Sequence, residues 1–228
     1  MKLIAVIQAR ISSRRLPGKV LRPLHGHPLL GYVIDVVKKC QGVDGMIVAT
    51  SDDRSDDVVD AFAKTKDLLV YRGSLTNVAQ RLLFAMKSMR GDALVRISGD
   101  SPFIDHRVIS NAVELYRGGK WDVVTNVQPR SFPPGCSVEI VSAPGMVRAV
   151  AEITSEHDME NVTPWFYRGD NAKVHNFKHH TDLSIVSLAV DTESDFLTAE
   201  RILGEMKRPH TEYTIDETVA IRRRIKRP

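Results

Sequence analysis

Four apolar runs, 2–8 (KLIAVIQ), 45–50 (GMIVAT), 67–73 (DLLVYRG) and 92–98 (DALVRIS), are each followed by a segment of helical apolar periodicity, at 28–40, 54–66, 77–89 and 106–117. Runs so continuously apolar read as strands covered on both faces, and helices placed between them require parallel neighbours joined by right-handed crossovers. A mainly parallel α/β sheet is the fold this pattern predicts. After about residue 125 the rhythm changes. Strands are expected at 121–126, 136–142 and, as a long one, 183–191, with helices at 144–153 and 195–206. This second half reads as an antiparallel excursion attached to the parallel sheet.

With 228 residues, 43% hydrophobic and 26% charged, the chain is long enough for one large core and lies in the ordinary globular range. It is expected to form a single domain over 1–228, read as a first half to about 125, a second part over about 126–190, and C-terminal helices over about 191–228. No apolar run approaches the roughly 20 residues of a bilayer span, and the first residues lack a leader's long apolar centre, so a cytoplasmic location is expected. Cys40 and Cys136 show no metal-ligand spacing and read as plain thiols. Much of the net +4 charge lies in IRRRIKRP at 221–228, and aromatic residues make up only 6%, which argues against a nucleic-acid surface. His179-His180 read as polar residues on opposite sides of an extended segment, HGH at 25–27 as a turn, and Trp121 and Trp165 as packing anchors.

Directly after the first run, ARISSRRLPGKVL at 9–21 crowds Arg10, Arg14, Arg15 and Lys19 around Pro17-Gly18. Ligands of open α/β sheets collect beyond the carboxyl ends of strands. There a glycine permits close approach of the backbone, arginine grips phosphate in a fork, and lysine supplies a compact charge. Neither the Walker spacing nor the dinucleotide glycine pattern is present, so this would be a different phosphate loop. A solvated basic turn is the plainer alternative. Asp100, after the fourth run, and Asp191, in LAVDTESD, can join the same cleft as a magnesium pair, or else serve as helix caps.

QARISSRRLPGKVL, together with VYRGS, VRISGDSPFID, FPPGCSVEI, ENVTPWFY and VDTESD in that order, resembles the sugar-activating cytidylyltransferases, most closely the cytidylyltransferase-like proteins of spore-coat polysaccharide biosynthesis. The resemblance implies a Rossmann-like nucleotide-diphospho-sugar transferase fold, a mixed, mostly parallel sheet flanked by helices with a small antiparallel insert. It implies transfer of CMP from CTP to an acidic or phosphorylated sugar with release of pyrophosphate, in a Mg2+-dependent homodimer. It also implies nucleotide binding for the first half of the chain and sugar binding with dimerisation for the part over about 126–190. By the same resemblance Ala9, Arg10, Ser13, Arg15, Gly18 and Lys19 hold the triphosphate, with Arg10 and Lys19 catalytic. Asp100 and Asp191 bind the metal, while Arg72, Gly73 and Ser74 contact the cytosine or ribose. Glu139, Glu160 and Asn161 contact the acceptor. Ser137, Met159 and Asn161 depart from the family pattern on the acceptor side, which points to an unusual acceptor or to lost activity. A metal-dependent glycosyltransferase and a non-catalytic nucleotide-binding protein are the competing readings.

Overall fold

The computed structural model describes residues 1–225; of the basic tail, Lys226, Arg227 and Pro228 lie outside the described residues. In chain order, β1 (Leu3–Gln8) leads through a loop into a two-stranded ribbon, β2 (Pro23–Leu24) and β3 (His27–Pro28), and then into α1 (Leu29–Val37). β4 (Gly45–Ser51), α2 (Asp57–Lys64), β5 (Leu69–Gly73), α3 (Val78–Ser88), β6 (Ala93–Ser98) and α4 (His106–Gly118) follow the expected alternation. The second half contains β7 (Val123–Thr125), β8 (Glu139–Ser142), α5 (Ala143–Glu152), α6 (Glu156–Asn161), β9 (Val174–Asn176), α7 (Glu193–Glu205) and α8 (Ile215–Arg224).

The main sheet runs β5-β4-β1-β6-β8-β7-β9. β5, β4, β1 and β6 are mutually parallel, with Val6 opposite Ile47 on one side and Arg96 on the other. β8 lies antiparallel to both β6 and β7, and β9 pairs parallel to β7. Side chains of β1 alternate between two cores, which explains the unbroken apolar run. Leu3, Ala5 and Ile7 pack with α1, α4, α7 and α8, whereas Ile4 and Val6 pack under α3 and α5. Each fully buried leucine or isoleucine here is worth about 1.5–3 kcal/mol relative to exposure, so a charge within β1 would be incompatible with either layer.

Three expectations need correction. Residues 183–191 form no strand. The stretch is held by isolated bonds, Leu188 N–H to the Pro134 carbonyl at 2.8 Å and Val190 N–H to that of Asp100 at 3.3 Å. Beside β7 the sheet position is taken by β9, a segment too short and polar to read as a strand. An apolar run under a loop satisfies the same burial as a strand, so periodicity does not separate them. The antiparallel ribbon lies at 23–28, around the HGH turn, where His25 and Gly26 take positive φ. In the second half only β8 reverses direction. Both cysteines are free, and burial pushes the Cys40 thiol up to about 12. Among the described residues no helix is long and apolar enough to cross a membrane.

Candidate active site

The loop after β1 doubles back on itself. Ser13 and Gly18 both donate backbone N–H bonds to the Ile11 carbonyl, at 2.8 and 2.9 Å, while Asp56 fixes the Ile11 N–H at 2.7 Å. Gly18 closes the loop at φ +75°, a left-handed conformation that a side chain would strain. Buried Leu16 and Val20 anchor it from below, so Lys19 is carried inward and is only 5% exposed. Its ammonium group makes three contacts: Asp100 Oδ2 at 2.6 Å, Asp191 Oδ1 at 3.0 Å and the Val190 carbonyl at 2.7 Å. Three donors meet three acceptors, which satisfies the ammonium completely.

Each aspartate arrives by a different route. Beyond β6, Gly99 donates to the Gln8 carbonyl at 2.8 Å, and a Cβ at this glycine would lie 2.8 Å from that same oxygen; only glycine lets the chain cross the end of β1 and deliver Asp100. Asp191 depends on Gly135, whose φ is +92° and whose added Cβ would sit 2.5 Å from the Ala189 nitrogen. Arg15, largely exposed, completes the cluster 2.9 Å from Asp191.

Two clefts meet at these carboxylates. A cavity of about 340 Å³ is lined by Gln8, Ala9, Arg10, Ser13, Lys19 and Arg81 among others. The second, of about 710 Å³, extends to Arg130, Ser137, Glu139 and Tyr167. Arg96, Ser98, Asp100, Asn161 and Asp191 border both. The first cleft is strongly cationic. Arg81, 2% exposed, donates to the Ser74 carbonyl at 2.6 Å and leaves its buried Nε without a hydrogen-bond partner. Desolvation first, and then the nearby charge of Arg10, lower the Arg81 guanidinium to about 10, which still leaves it charged at neutral pH. A guanidinium that keeps its charge where it lines the first cleft suits an anionic ligand there. Arg10 itself lies 2.6 Å from Glu160.

In the second cleft, Glu139 is bound on both oxygens, by Arg96 at 2.8 Å and by the Tyr167 hydroxyl at 2.5 Å. Burial, and then the Glu139 charge, push the Tyr167 hydroxyl far upward, so it stays a donor. Arg130 contacts Ser137 Oγ at 3.0 Å and has no carboxylate partner among the described residues. On α6, Asp158 grips Arg168 through two bonds of 2.6 and 2.7 Å, and the helix ends at buried Val162 with φ +70°, a strained value for a β-branched residue.

A family model described as cytidylyltransferase matches residues 4–218. The chain belongs to the cytidylyltransferase family. It is 31% identical over 199 residues to an uncharacterized protein of Methanocaldococcus jannaschii, the match covering 86% of this chain and 81% of that one. To the spore coat polysaccharide biosynthesis protein SpsF of Bacillus subtilis it is 31% identical over 147 residues, covering 62% of this chain and 59% of SpsF. A solved cytidylyltransferase from Leptospira borgpetersenii is similar with a TM-score of 0.93 at 26% identity, over 98% of this chain and 94% of that one. The protein is a nucleotidyltransferase by family, and its fold is the mixed, mostly parallel sheet expected of one.

Within this cytidylyltransferase, the structure brings Ala9, Arg10, Ser13, Arg15 and Lys19 to the first cleft with Asp100 and Asp191, and sets Gly18 at the base of the loop. Glu160 and Asn161 border that cleft, and Glu139 the other. Arg72 lies elsewhere. On edge strand β5 it points to the turn after β4, bonding Asp57 at 2.5 Å and the Ser51 and Asp53 carbonyls at 3.0 and 2.8 Å, so it braces that turn and lines neither cleft. Gly73 and Ser74 likewise line neither cleft; they touch Arg81, which packs over the first and is held by the carbonyl of the second. Met159 packs against the core and lines neither cleft. Arg81, Arg96, Arg130 and Tyr167 were missed by sequence reasoning. The available signal was a charge inside an apolar pattern: Arg81 within VAQRLL and Arg96 within ALVRIS.

Proposed function

We propose that this cytidylyltransferase transfers CMP from CTP to an acidic or phosphorylated sugar, with release of pyrophosphate, for surface polysaccharide synthesis. The observation that carries the reading is the single lysine bridging two aspartates at the junction of a cationic cleft and a second, roomier one. Arg10, Ser13, Arg15, Lys19 and Arg81 line the first cleft and suit a triphosphate; Arg130, unpaired with any described carboxylate, suits the acceptor's anionic group in the second. A sugar oxygen attacks the α-phosphorus, the bond to the bridging oxygen breaks, and pyrophosphate leaves with the electron pair. Such transfer asks mainly for alignment and for cations facing the charge that develops. Lys19 and Arg10 face it from the loop side.

The donor set also fits a divalent ion. Asp100 and Asp191 already converge on one cation, and their hard oxygens match Mg2+, which takes one or two carboxylates and fills its shell with phosphate and water. When bound, Mg2+ would neutralise charge on the phosphate oxygens. Asp100 and Asp191 would hold the ion, and Lys19, on the same loop as Arg10, would offer its ammonium to the triphosphate.

The test is pyrophosphate release from CTP, ATP, GTP and UTP, each with Mg2+ and a panel of keto-acid sugars and sugar phosphates. CTP-dependent release with one acceptor, abolished by EDTA and by Asp191→Asn, is expected. Binding of CTP without turnover on any acceptor would favour a non-catalytic protein, and release without a nucleotide-sugar product would overturn the reading.

A further inference from the structure

We propose that His179, His180 and Asp216 form a binding site for a transition-metal cation of the Zn2+ class, apart from the two aspartates of the active site. One ligand-capable atom from each of the three residues lies within 4.8 Å of the other two. His179 Nε2 and Asp216 Oδ2 are 3.4 Å apart. Ligands held about 2.0–2.1 Å from a tetrahedral ion are spaced by about 3.4 Å, so this pair already has the separation that one zinc ion imposes.

The convergence is not what consecutive residues normally give. In a strand His179 and His180 would project to opposite sides, but residues 177–183 lie outside any strand, and the two rings sit 4.1 Å apart with planes inclined by 36°. His179 is preorganised. Its side chain is only 10% exposed, its ring meets Phe132 edge-on at 5.2 Å, and its backbone N–H donates to Ser131 Oγ at 2.8 Å. Nδ1 stands 2.9 Å from the Thr181 carbonyl oxygen and 3.2 Å from the Thr181 amide nitrogen. Both contacts hold the ring by Nδ1, the Thr181 N–H donating to it in the tautomer protonated at Nε2 and Nδ1 donating to the carbonyl in the other, so in either case Nε2 is the atom turned to Asp216 and the carbonyl-bonded tautomer is the one that offers a metal its lone pair. Metal-bound histidines use that support, with the second ring nitrogen donating to a carbonyl or carboxylate.

His180 and Asp216 are exposed, so each can close the remaining gap by side-chain rotation. Two imidazoles and one carboxylate select Zn2+, Co2+, Ni2+ or Cu2+ over Mg2+, which prefers an all-oxygen shell. Three protein ligands leave a fourth position for water. Asp216 belongs to the first turn of α8 and the histidines to the segment leading from β9 toward Asp191, so the ion would clip the last helix to the part of the chain that supplies the active site.

The full chain, stripped with chelator and kept in excess Mg2+, is titrated with Zn2+ by equilibrium dialysis and with Co2+ by visible absorption. The expected result is an ion bound tighter than about 10 µM, with intense tetrahedral Co2+ bands. His180→Ala and Asp216→Asn should each weaken that binding at least about tenfold and remove the bands, while circular dichroism and pyrophosphate release stay at wild-type levels. Zn2+ should also raise the unfolding midpoint of the wild type and not of the variants. Binding weaker than about 10 µM, or binding that both folded variants retain in full, overturns the site and leaves a His179–Asp216 ion pair beside a stacked ring.

Discussion

Replacing Lys19 with Met removes a charge that holds two chain-distant aspartates together, and its cost follows from the contacts. The ammonium donates to two carboxylates and one carbonyl while 5% exposed. A charge-assisted bond is worth about 1.5–3 kcal/mol, and removing one partner of a buried pair costs about 3–5 kcal/mol. Asp100 and Asp191 retain 25% and 32% side-chain exposure, and the solvent screening this implies brings the expected cost down to about 3 kcal/mol. For a chain of this size that lowers the thermal midpoint by roughly 6–12 °C. Mg2+ should then discriminate between the proteins. On the proposed metal role, Mg2+ would compete with Lys19 for both carboxylates in the wild type, whereas in the variant Asp100 has lost its ion-pair partner and Asp191 keeps only the largely exposed Arg15, so millimolar Mg2+ should raise the variant's midpoint more than the wild type's. Turnover should fall about 10²–10³-fold, the usual loss for one donor facing transition-state charge, and Mg2+ should not restore it. Differential scanning calorimetry with and without Mg2+, beside a pyrophosphate-release assay, reads all three effects. A midpoint loss no larger than that of the exposed control Lys87→Met, or an equal Mg2+ response in both proteins, would refute the bridging role.

Glu160→Gln should free Arg10 from a half-exposed pair worth about 0.2–1 kcal/mol, tightening CTP binding by about 1.5–5-fold in calorimetric titration. Arg130→Ala should raise the acceptor KM with little change in the CTP KM; equal effects on both would place Arg130 outside acceptor binding. The Asp158 carboxyl is held down to about 2, chiefly by hydrogen bonds from Arg168, against about 3.9 when unfolded. A depressed carboxylate stabilises the fold above the unfolded value and loses that contribution as pH falls, so Asp158→Asn should be less stable than wild type at pH 7, with the gap closing between about pH 4 and pH 2 in denaturant titrations. Gly135→Ala should cost more than about 2 kcal/mol and depress turnover, because its Cβ would strike the backbone of Leu188 and Ala189 that carries Asp191; wild-type turnover in the variant would show that this stretch does not set the aspartate.

The first half of this protein was legible because burial on both faces leaves one economical arrangement for four apolar strands separated by helices. Its loop was legible for an electrostatic reason: crowded cations at 10–19 need compensation, and the structure supplies Asp100, Asp191 and Glu160 to three of the four, Arg10, Arg15 and Lys19. The second half offered no such pattern. Asp191 does meet Asp100 at Lys19, but it was expected to close a strand, whereas its place is fixed by Gly135 and by two bonds to neighbouring carbonyls. Short α6, with Glu160 and Asn161, carries too few apolar residues for periodicity to register.

Arg72 and Arg81 show where local pattern stops being informative. Arg72 lies within the YRGS motif and Arg81 seven residues beyond it, and the resemblance directs attention to Arg72. Strand alternation on β5 turns Arg72 outward to Asp57, a partner that satisfies it at the sheet edge. Arg81 lies on the buried face of α3, where the helical pattern calls for an apolar residue. A charge placed against the apolar period carries a desolvation cost that an aliphatic residue would avoid, so its retention implies a compensating partner. Ser74 and Leu75 carbonyls compensate one end of the guanidinium, while Nε stays buried without a hydrogen-bond partner on a residue that lines the cationic cleft. Residues that break a buried period therefore locate this pocket more sharply than charges in loops, since a loop arginine can always be solvated and a buried one cannot.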